Sequence, residues 1–345
     1  MANKKSYRVL VVGATDLVGR ELVLILNERA FPFETMRATG RDDQVDQTIP
    51  MGSSSIPVER LTTELFKNSD IVFFAGDSKT VSKRIQEALQ FCMLVVDLST
   101  HSRQNPDIPM VVTGVNDYDL DPLFSKPHAL VSCPSSIVTH LVTILNPIAK
   151  RFGVSHVNVS TYQSVTAAGS QGMEELSRQV KDLFNYRESQ VASFPHRIAF
   201  NLIPEVGPID DKGHSEQECQ IDEETRRILS HHEFSVSATA VNVPLFHGYA
   251  QAVTIETIDE VDVQEVKKIL DETVGVLVLD EPLDHVYPLP SEATGQDEVF
   301  VGRIRKDRSR KNTLHLWIAA DPLRKGSALN AIEIAERFTQ ENKLV

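Results

Sequence analysis

Continuous apolar runs alternate with longer amphipathic segments over the first 130 residues. Each of three runs holds at least four consecutive apolar residues: Arg8–Val12, Ile71–Ala75 and Met93–Leu98. Such runs are typical of parallel strands that are buried on both faces. Helices are predicted at Glu21–Arg29 and Thr80–Phe91, and further strands at Thr35–Thr39 and Ala129–Val131. The alternation predicts a doubly wound α/β sheet.

The pattern changes after residue 136, where longer strands with alternating polarity follow one another. Strands are predicted at Val154–Gln163, Ala238–Pro244, Ala250–Ile258 and Leu314–Ala320. Helices are predicted at Val138–Phe152 with an interruption near Pro147, and at Glu174–Phe184, Asp222–His232 and Val263–Val274. Long antiparallel strands with helices on one face predict an α+β domain.

These elements suggest an α/β domain at residues 1–133, an α+β domain at 134–325 and a C-terminal segment at 326–345. In that segment, Leu329–Thr339 should be a helix that packs back on the first domain, with Ile332, Ala335 and Phe338 on one face. Irregular structure is expected at Asp42–Pro57, His101–Asp107, Pro204–Glu216 and Pro288–Gly295.

Composition narrows the class of partner. The formal net charge of −13 and the pI near 5.3 argue against nucleic-acid and anionic-membrane partners, because both repel an acidic surface. No apolar run approaches the roughly 20 residues of a membrane span, and Met1–Lys5 leads into a strand rather than a signal-peptide core. The cysteines Cys92, Cys133 and Cys219 form neither a disulfide framework nor a metal pattern. A cytoplasmic protein without metal is expected.

A glycine-containing turn, Gly13-Ala14-Thr15-Asp16-Leu17-Val18-Gly19, joins the first strand to the first helix. Glycines in this position let the backbone approach a pyrophosphate, and the helix N-terminus offers N–H groups to it. Candidate dinucleotide-binding residues are therefore Gly13, Thr15, Asp16, Leu17 and Val18. The Asp16 carboxylate either repels a pyrophosphate or caps the helix. The alternative is a packing turn without cofactor.

The segment Cys133-Pro134-Ser135-Ser136 follows a strand and opens a helix. It resembles the nucleophile loop of aspartate-β-semialdehyde dehydrogenases, which typically read Cys/Asn-Pro-Asn-Cys-Ser/Thr with the second Cys as nucleophile. The resemblance places Ser136 at the nucleophile position. It also implies an N-terminal Rossmann-type nucleotide-binding domain and a second domain that binds substrate and forms a homodimer.

In this family a thiolate attacks the aldehyde, a histidine takes the proton, hydride passes to NADP and phosphate releases the acyl enzyme. The resemblance places Tyr249 at the base position and Asn242 at the position of an arginine that binds the substrate carboxylate. Where the family reads Glu-x-Lys, this chain has Glu218 and Gln220. Gln220 thus replaces a lysine that lies near the phosphate in relatives. Arg103 and Gln163 match retained substrate-binding residues.

Cofactor positions are also implied by the resemblance. Asp16 replaces the middle glycine of Gly-Ala-Thr-Gly-x-Val-Gly. Arg41 matches an arginine near the 2′-phosphate of NADP, but Asp42 beside it would repel that phosphate. Gly76 matches a turn near the ribose, and Asn330 matches a segment near the cofactor. NADP or NAD is therefore the expected cofactor.

The resemblance extends from Val9 to Glu336, whereas Ser136, Tyr249, Asn242 and Gln220 all depart from the family pattern. A serine hydroxyl needs a strong neighbouring base, and its oxyester accepts hydride poorly. The chain is therefore identified as a Usg-type member that lacks the catalytic cysteine. We expect a catalytically silent homodimer or partner protein, with a small-molecule ligand in the former substrate cleft.

Two alternatives stay open at this stage. The first is an oxidoreductase that acts on another carbonyl compound, with Cys133 as nucleophile. The second is a hydrolase that uses Ser136, with Tyr249 or His247 as its base. If His247 lay on a strand, it would share a face with Tyr249 at a distance of about 6–7 Å.

Overall fold

The computed structural model describes residues 6–230 and 233–341, which divide into two compact units. The first unit comprises the described residues up to Pro134 and from Ser327 onward, and the second runs from Ser135 to Gly326.

A doubly wound sheet forms the first unit. Its strands are β1 (Tyr7–Val12), β2 (Phe33–Thr39), β3 (Thr48–Met51), β4 (Ser54–Glu59), β5 (Ile71–Phe74), β6 (Leu94–Asp97) and β7 (Ala129–Ser132). Their order is β3-β4-β2-β1-β5-β6-β7, and all neighbours are parallel except β3 and β4. Since β2 and β5 lie on opposite sides of β1, the carboxyl end of β1 is the switch point where such sheets bind nucleotides. The predicted Rossmann-type topology is confirmed.

Helices of the first unit begin directly after the strands. They are α1 (Leu17–Glu28), α2 (Thr63–Lys67) and α3 (Ser78–Ala88). Helix α1 begins four residues before the predicted start, because the glycine turn is shorter than expected. Its residues Leu22 to Leu26 are mostly buried, as their dense apolar pattern predicts.

The expectation of irregular structure at Asp42–Pro57 is wrong, because this segment contains β3 and most of β4. Each of these short strands carries a proline and few apolar residues, Pro50 in β3 and Pro57 in β4. Proline is tolerated in a sheet chiefly at edges, and β3 is an edge strand. The sequence pattern therefore did not predict β3 or β4.

The second unit contains a six-stranded mixed sheet in its described part. Its strands are β8 (His156–Gln163), β9 (Ser235–Asn242), β10 (Tyr249–Glu256), β11 (Val276–Val278), β12 (Val299–Lys306) and β13 (Thr313–Ala320). Their order is β11-β12-β13-β10-β8-β9. The β8–β9 and β11–β12 pairs are parallel, and the others are antiparallel. The α+β class is confirmed, and the expected antiparallel strands are present together with two parallel pairs.

Helices of the second unit are α4 (Ser136–Phe152), α5 (Gly169–Phe184), α6 (Glu216–Ile228), α7 (Val263–Asp271) and α8 (Pro290–Ala293). The expectation that the helix is interrupted near Pro147 is wrong, because α4 continues through this proline. Most residues of α4 are buried. The packing of these residues offsets the backbone hydrogen bond that the helix loses at proline. Helix α6 begins six residues before the predicted Asp222, and the predicted end at His232 lies outside the described residues.

The last helix of the described residues is α9 (Leu329–Glu341), which belongs to the first unit. Ile332, Ala335 and Phe338 are fully buried, as their spacing predicts, and they belong to the same core as the strands β1, β2 and β6. The Phe338 ring lies 5.7 Å from that of Phe124. In the described part of the chain, no helix has both the length and the apolar character to cross a membrane.

Candidate functional site

Two glycine turns pack backbone to backbone at the carboxyl ends of β1 and β5. Gly13 has φ +81°, and a Cβ added there would lie 2.5 Å from the Cα of Gly76. A Cβ on Gly19 would lie 2.2 Å from the carbonyl oxygen of Gly13. The glycines are therefore required by close packing as well as by any dinucleotide, so their presence alone does not prove that a cofactor binds.

Asp16 does not cap α1, although it occupies the N-cap position. Its Oδ1 instead lies 3.6 Å from Nη1 of Arg41, and Nε of Arg41 lies 3.4 Å from Oδ1 of Asp43. Burial raises the pKa of the Asp16 carboxyl, Arg41 opposes this shift and Asp77 reinforces it. The arginine expected to meet a 2′-phosphate therefore already has two carboxylate partners, and the turn itself carries negative charge.

Thr15 attaches the glycine turn to the segment after β2. Its hydroxyl donates to Oε1 of Gln44 at 2.6 Å, and the same oxygen accepts the backbone N–H of Arg41 at 3.1 Å. Leu17 and Val18 form the first turn of α1. The sequence-predicted residues from Gly13 to Arg41 thus lie together at one end of the sheet, as expected for a nucleotide site.

Removal of the Asp16 carboxylate should strengthen NADP binding. We expect Asp16→Gly to bind NADP about tenfold more tightly than the wild type, because it releases Arg41 and removes a charge that repels phosphates. Calorimetric titration at low salt measures this change. Asp43→Asn is the matched control, since it also frees Arg41 but leaves the turn unchanged. An equal gain in both variants would contradict a direct effect of Asp16 on the turn.

Arg103 and Asn330 both contact Cys133 in the first unit. Arg103 donates from Nε to the Cys133 carbonyl at 2.9 Å and from Nη2 to the Leu98 carbonyl at 2.8 Å. The buried Asn330 amide donates to the Val111 carbonyl at 2.9 Å and lies 3.8 Å from the Cys133 sulfur. Two residues expected to contact ligands therefore also hold the start of the nucleophile loop.

The Cys133 thiol is fully enclosed. It is 1% exposed, and burial raises its pKa to about 12. At pH 8 the thiol is therefore protonated, whereas the thiolate is the reactive form. The buried position and the raised pKa both argue against Cys133 as a replacement nucleophile.

A thiol titration at pH 8 should therefore find one reactive cysteine per native chain. Cys219 is partly exposed and should react with an aromatic disulfide reagent, whereas Cys92 and Cys133 are buried with pKa values near 12 and should react only after unfolding. The Cys219→Ser variant should show no rapid reaction. A second rapidly reacting thiol in that variant would contradict the enclosed position of Cys133.

Three predicted site residues form one row across the second sheet. In the strand registers, Tyr249 is opposite Gln163, and Gln163 is opposite Asn242. All three are at least 94% buried. Neighbouring strands lie about 4.8 Å apart, and opposite residues point to the same face. The positions expected for the base, the orienting glutamine and the substrate arginine are thus adjacent.

The residue at the base position is a buried phenol. Burial raises the pKa of Tyr249, and its hydrogen bond with Thr166 only partly offsets that rise. A neutral phenol is a weak acceptor of protons at neutral pH. His247 lies in the exposed loop before β10, so the condition that it lie on a strand and share a face with Tyr249 is not met.

Ser136 is the first residue of α4, and Ser135 occupies the N-cap position without a side-chain cap. The backbone N–H of Ser135 donates to Oε2 of the buried Glu224 at 2.7 Å. Gln217 donates to the Ser135 hydroxyl at 3.5 Å. A carboxylate and an amide on α6 therefore hold the turn that carries the serine.

Neutral amides continue from this turn along α6. Gln217 also donates to Oε1 of Gln220 at 3.3 Å, and Gln220 donates to Oε1 of Glu216 at 3.2 Å. Gln217 and Glu224 were missed by the sequence analysis. Their spacing of three and four residues from Gln220, which predicts one helix face, could have identified them.

Glu218 has a structural role in this region. Its Oε2 accepts the backbone N–H of Ser215 at 2.8 Å in a capping box, and its Oε1 accepts that of Ala240 at 2.9 Å. Both oxygens are therefore used to start α6 and to attach it to β9. This carboxylate is poorly suited to the expected contact with substrate.

Sequence and structure comparisons identify relatives of the whole chain. Residues 8–122 match the family model of the semialdehyde dehydrogenase NAD binding domain, and residues 145–325 match that of the dimerisation domain. Aspartate-semialdehyde dehydrogenase of Rickettsia bellii is 37% identical over 334 residues, which covers 97% of this chain and 98% of that protein. The Aquifex aeolicus counterpart is 36% identical over 337 residues, with the same coverage. Aspartate semialdehyde dehydrogenase II from Vibrio cholerae has a TM-score of 0.92 at 30% identity and covers 97% of this chain and 99% of its own.

A Rossmann-type sheet matched as an NAD binding domain, followed by a mixed sheet matched as a dimerisation domain, defines the class of two-domain semialdehyde dehydrogenases. Within that class, the chain belongs to the aspartate-semialdehyde dehydrogenase family.

Proposed function

We propose that this protein is a homodimeric, ligand-binding member of the family, of the Usg type, that does not oxidise aspartate semialdehyde. The observation that carries the proposal is the buried phenol of Tyr249 at the base position. The hydroxyl at the nucleophile position, Ser136, needs a stronger base than a thiol does, because its pKa is far higher. The raised pKa of the phenol makes Tyr249 a poor candidate for that base.

Charge at the substrate positions supports the same proposal. Relatives are expected to hold the substrate carboxylate with an arginine and the phosphate with a lysine. Asn242 and Gln220 provide neutral amides there, and Glu216 is hydrogen-bonded to Gln220. A dianionic acyl phosphate would therefore lose two attractive contacts and approach a carboxylate.

An activity assay tests this proposal. The wild-type protein should show no reduction of NADP above background with aspartate semialdehyde and phosphate, while the Rickettsia bellii relative serves as the positive control. Ser136→Ala is the matched variant, because turnover that persists in it comes from a contaminating enzyme. A wild-type rate within about a hundredfold of the relative, abolished in Ser136→Ala, would refute the proposal.

Nucleotide binding and dimerisation are the activities that we propose remain. The match of residues 8–122 to an NAD binding domain supports NADP or NAD as ligand, and the match of 145–325 supports a homodimer. Light scattering should give twice the chain mass of 38.5 kDa. Calorimetry with both nucleotides should give a dissociation constant near micromolar for at least one. If no heat is detected up to millimolar nucleotide, the proposed nucleotide binding is refuted and only the proposed dimerisation remains.

A further inference from the structure

A cavity of about 260 Å³ lies within the second unit beside the end of β9. The turn after β8 contributes Ala167 and Ala168 to its wall, and the buried Phe194 adds an aromatic surface. Asn242, the residue at the expected arginine position, completes the polar side together with Glu205. The cavity is thus large enough for a small organic molecule and has both an apolar and a polar side.

The charges around this cavity are negative. Glu205 lines it, and among the described residues no lysine, arginine or histidine does. Gly207 also lines it, and a Cβ on Gly207 would lie 3.0 Å from Oε2 of Glu216. Among the ion pairs of residues 6–230 and 233–341, none involves Glu205 or Glu216. A space that could hold a positive charge therefore has Glu205 in its wall and Glu216 next to Gly207, outside the lining.

Asn242 presents an acceptor rather than a donor. Its Nδ2 donates to the Glu205 carbonyl at 2.7 Å, which fixes the orientation of the amide. Its backbone N–H and carbonyl both pair with Ile203. The remaining Oδ1 is buried and has no hydrogen-bond partner among the described residues. A buried acceptor without a donor is unfavourable, so a donor group that reached it by a small rearrangement would stabilise the site.

We propose that this cavity binds a small organic cation through a primary ammonium group. The ammonium lies near the carboxylates of Glu205 and Glu216 and within reach of the Asn242 amide, and the alkyl part packs against Ala167, Ala168 and Phe194. The charge preference is thus opposite to that of a site built for a carboxylate. This inference rests on the proposed function, because a protein that processes aspartate semialdehyde would need the same region for an anion.

Three ligands of equal length test the charge preference: n-butylamine, which is protonated at neutral pH, n-butanol and butyrate. We expect calorimetry to show saturable binding of n-butylamine, at least tenfold weaker binding of n-butanol and no binding of butyrate. Added salt should weaken amine binding, because the attraction is electrostatic. The full-length protein is used throughout.

Variants locate the binding site. Glu205→Gln and Asn242→Leu should each weaken n-butylamine binding at least fivefold. The double variant Glu205→Gln/Glu216→Gln should weaken it more than Glu205→Gln alone. Glu281→Gln removes an exposed carboxylate that does not line the cavity and should leave binding unchanged. Thermal unfolding of each variant confirms that the fold is retained.

Equal binding of all three ligands, or unchanged amine binding in Glu205→Gln, would overturn the inference. Absence of amine binding in a dehydrogenase-inactive protein would reject this inference alone. Turnover of aspartate semialdehyde would instead reject the proposed function, whatever the amine result. The two failures are therefore distinguishable.

Discussion

Restoring the family residues at four positions should produce a gain of at least about a thousandfold in aspartate-semialdehyde dehydrogenase turnover over the wild type. The variant combines Ser136→Cys, Tyr249→His, Asn242→Arg and Gln220→Lys. A positioned base alone contributes about 10²–10⁴-fold to such reactions, and a thiolate forms an acyl intermediate that accepts hydride. The row of Tyr249, Gln163 and Asn242 already places the new imidazole and guanidinium beside the retained glutamine. Reduction of NADP with aspartate semialdehyde and phosphate measures the gain.

Partial variants show whether these residues act together. Ser136→Cys alone should gain far less, because the residue at the expected base position, Tyr249, remains a phenol of raised pKa. The triple variant that keeps Ser136 should stay at background. If the fourfold variant folds, as judged by thermal unfolding, but gains no more than Ser136→Cys alone, these four positions do not account for the inactivity that we propose.

The second large effect concerns the stability of the first unit. Gly13→Ala should lower the free energy of unfolding by about 3–4 kcal/mol. Roughly 1 kcal/mol comes from an alanine at positive φ, and about 2–3 from the overlap of its Cβ with Gly76. That Cβ would lie 2.5 Å from backbone atoms, which cannot move aside as a flexible side chain does. Urea denaturation followed by circular dichroism measures the loss.

Gly114→Ala is a control with the same backbone strain and no overlap. Gly114 has φ +82°, close to that of Gly13, but no heavy atom lies within 4 Å of an added Cβ. Its loss should be about 1 kcal/mol. Equal losses in the two variants would show that backbone strain, rather than contact between the two glycine turns, sets the requirement for glycine.

The first unit was largely predictable because its central strands are buried on both faces. The runs at β1, β5 and β6 leave little doubt between strand and loop. In contrast, β3 and β4 contain prolines, and β11 is only three residues long. Short edge strands form because neighbours pair with them, and a local pattern does not record that pairing.

The sequence names candidate site residues, but it gives only part of their arrangement. Gln163, Asn242 and Tyr249 were identified singly, whereas their adjacency depends on the pairing of β8 with both β9 and β10. The sequence did not show which way the side chains of α6 point. Glu218 accepts a backbone N–H, whereas Gln217, one residue earlier, donates to the Ser135 hydroxyl. The pairing of Asp16 with Arg41 likewise joins residues from two separate loops.

The position of α9 has a consequence for how the chain folds during synthesis. Its buried residues complete the core of the first unit, yet they are synthesised only after the whole second unit. About 190 residues of the second unit are made in between, which takes about 10–40 s at elongation rates of about 5–20 residues per second. Throughout that interval the nascent nucleotide-binding sheet exposes an apolar face, so chaperones that bind such surfaces have time to engage it before the final helix arrives.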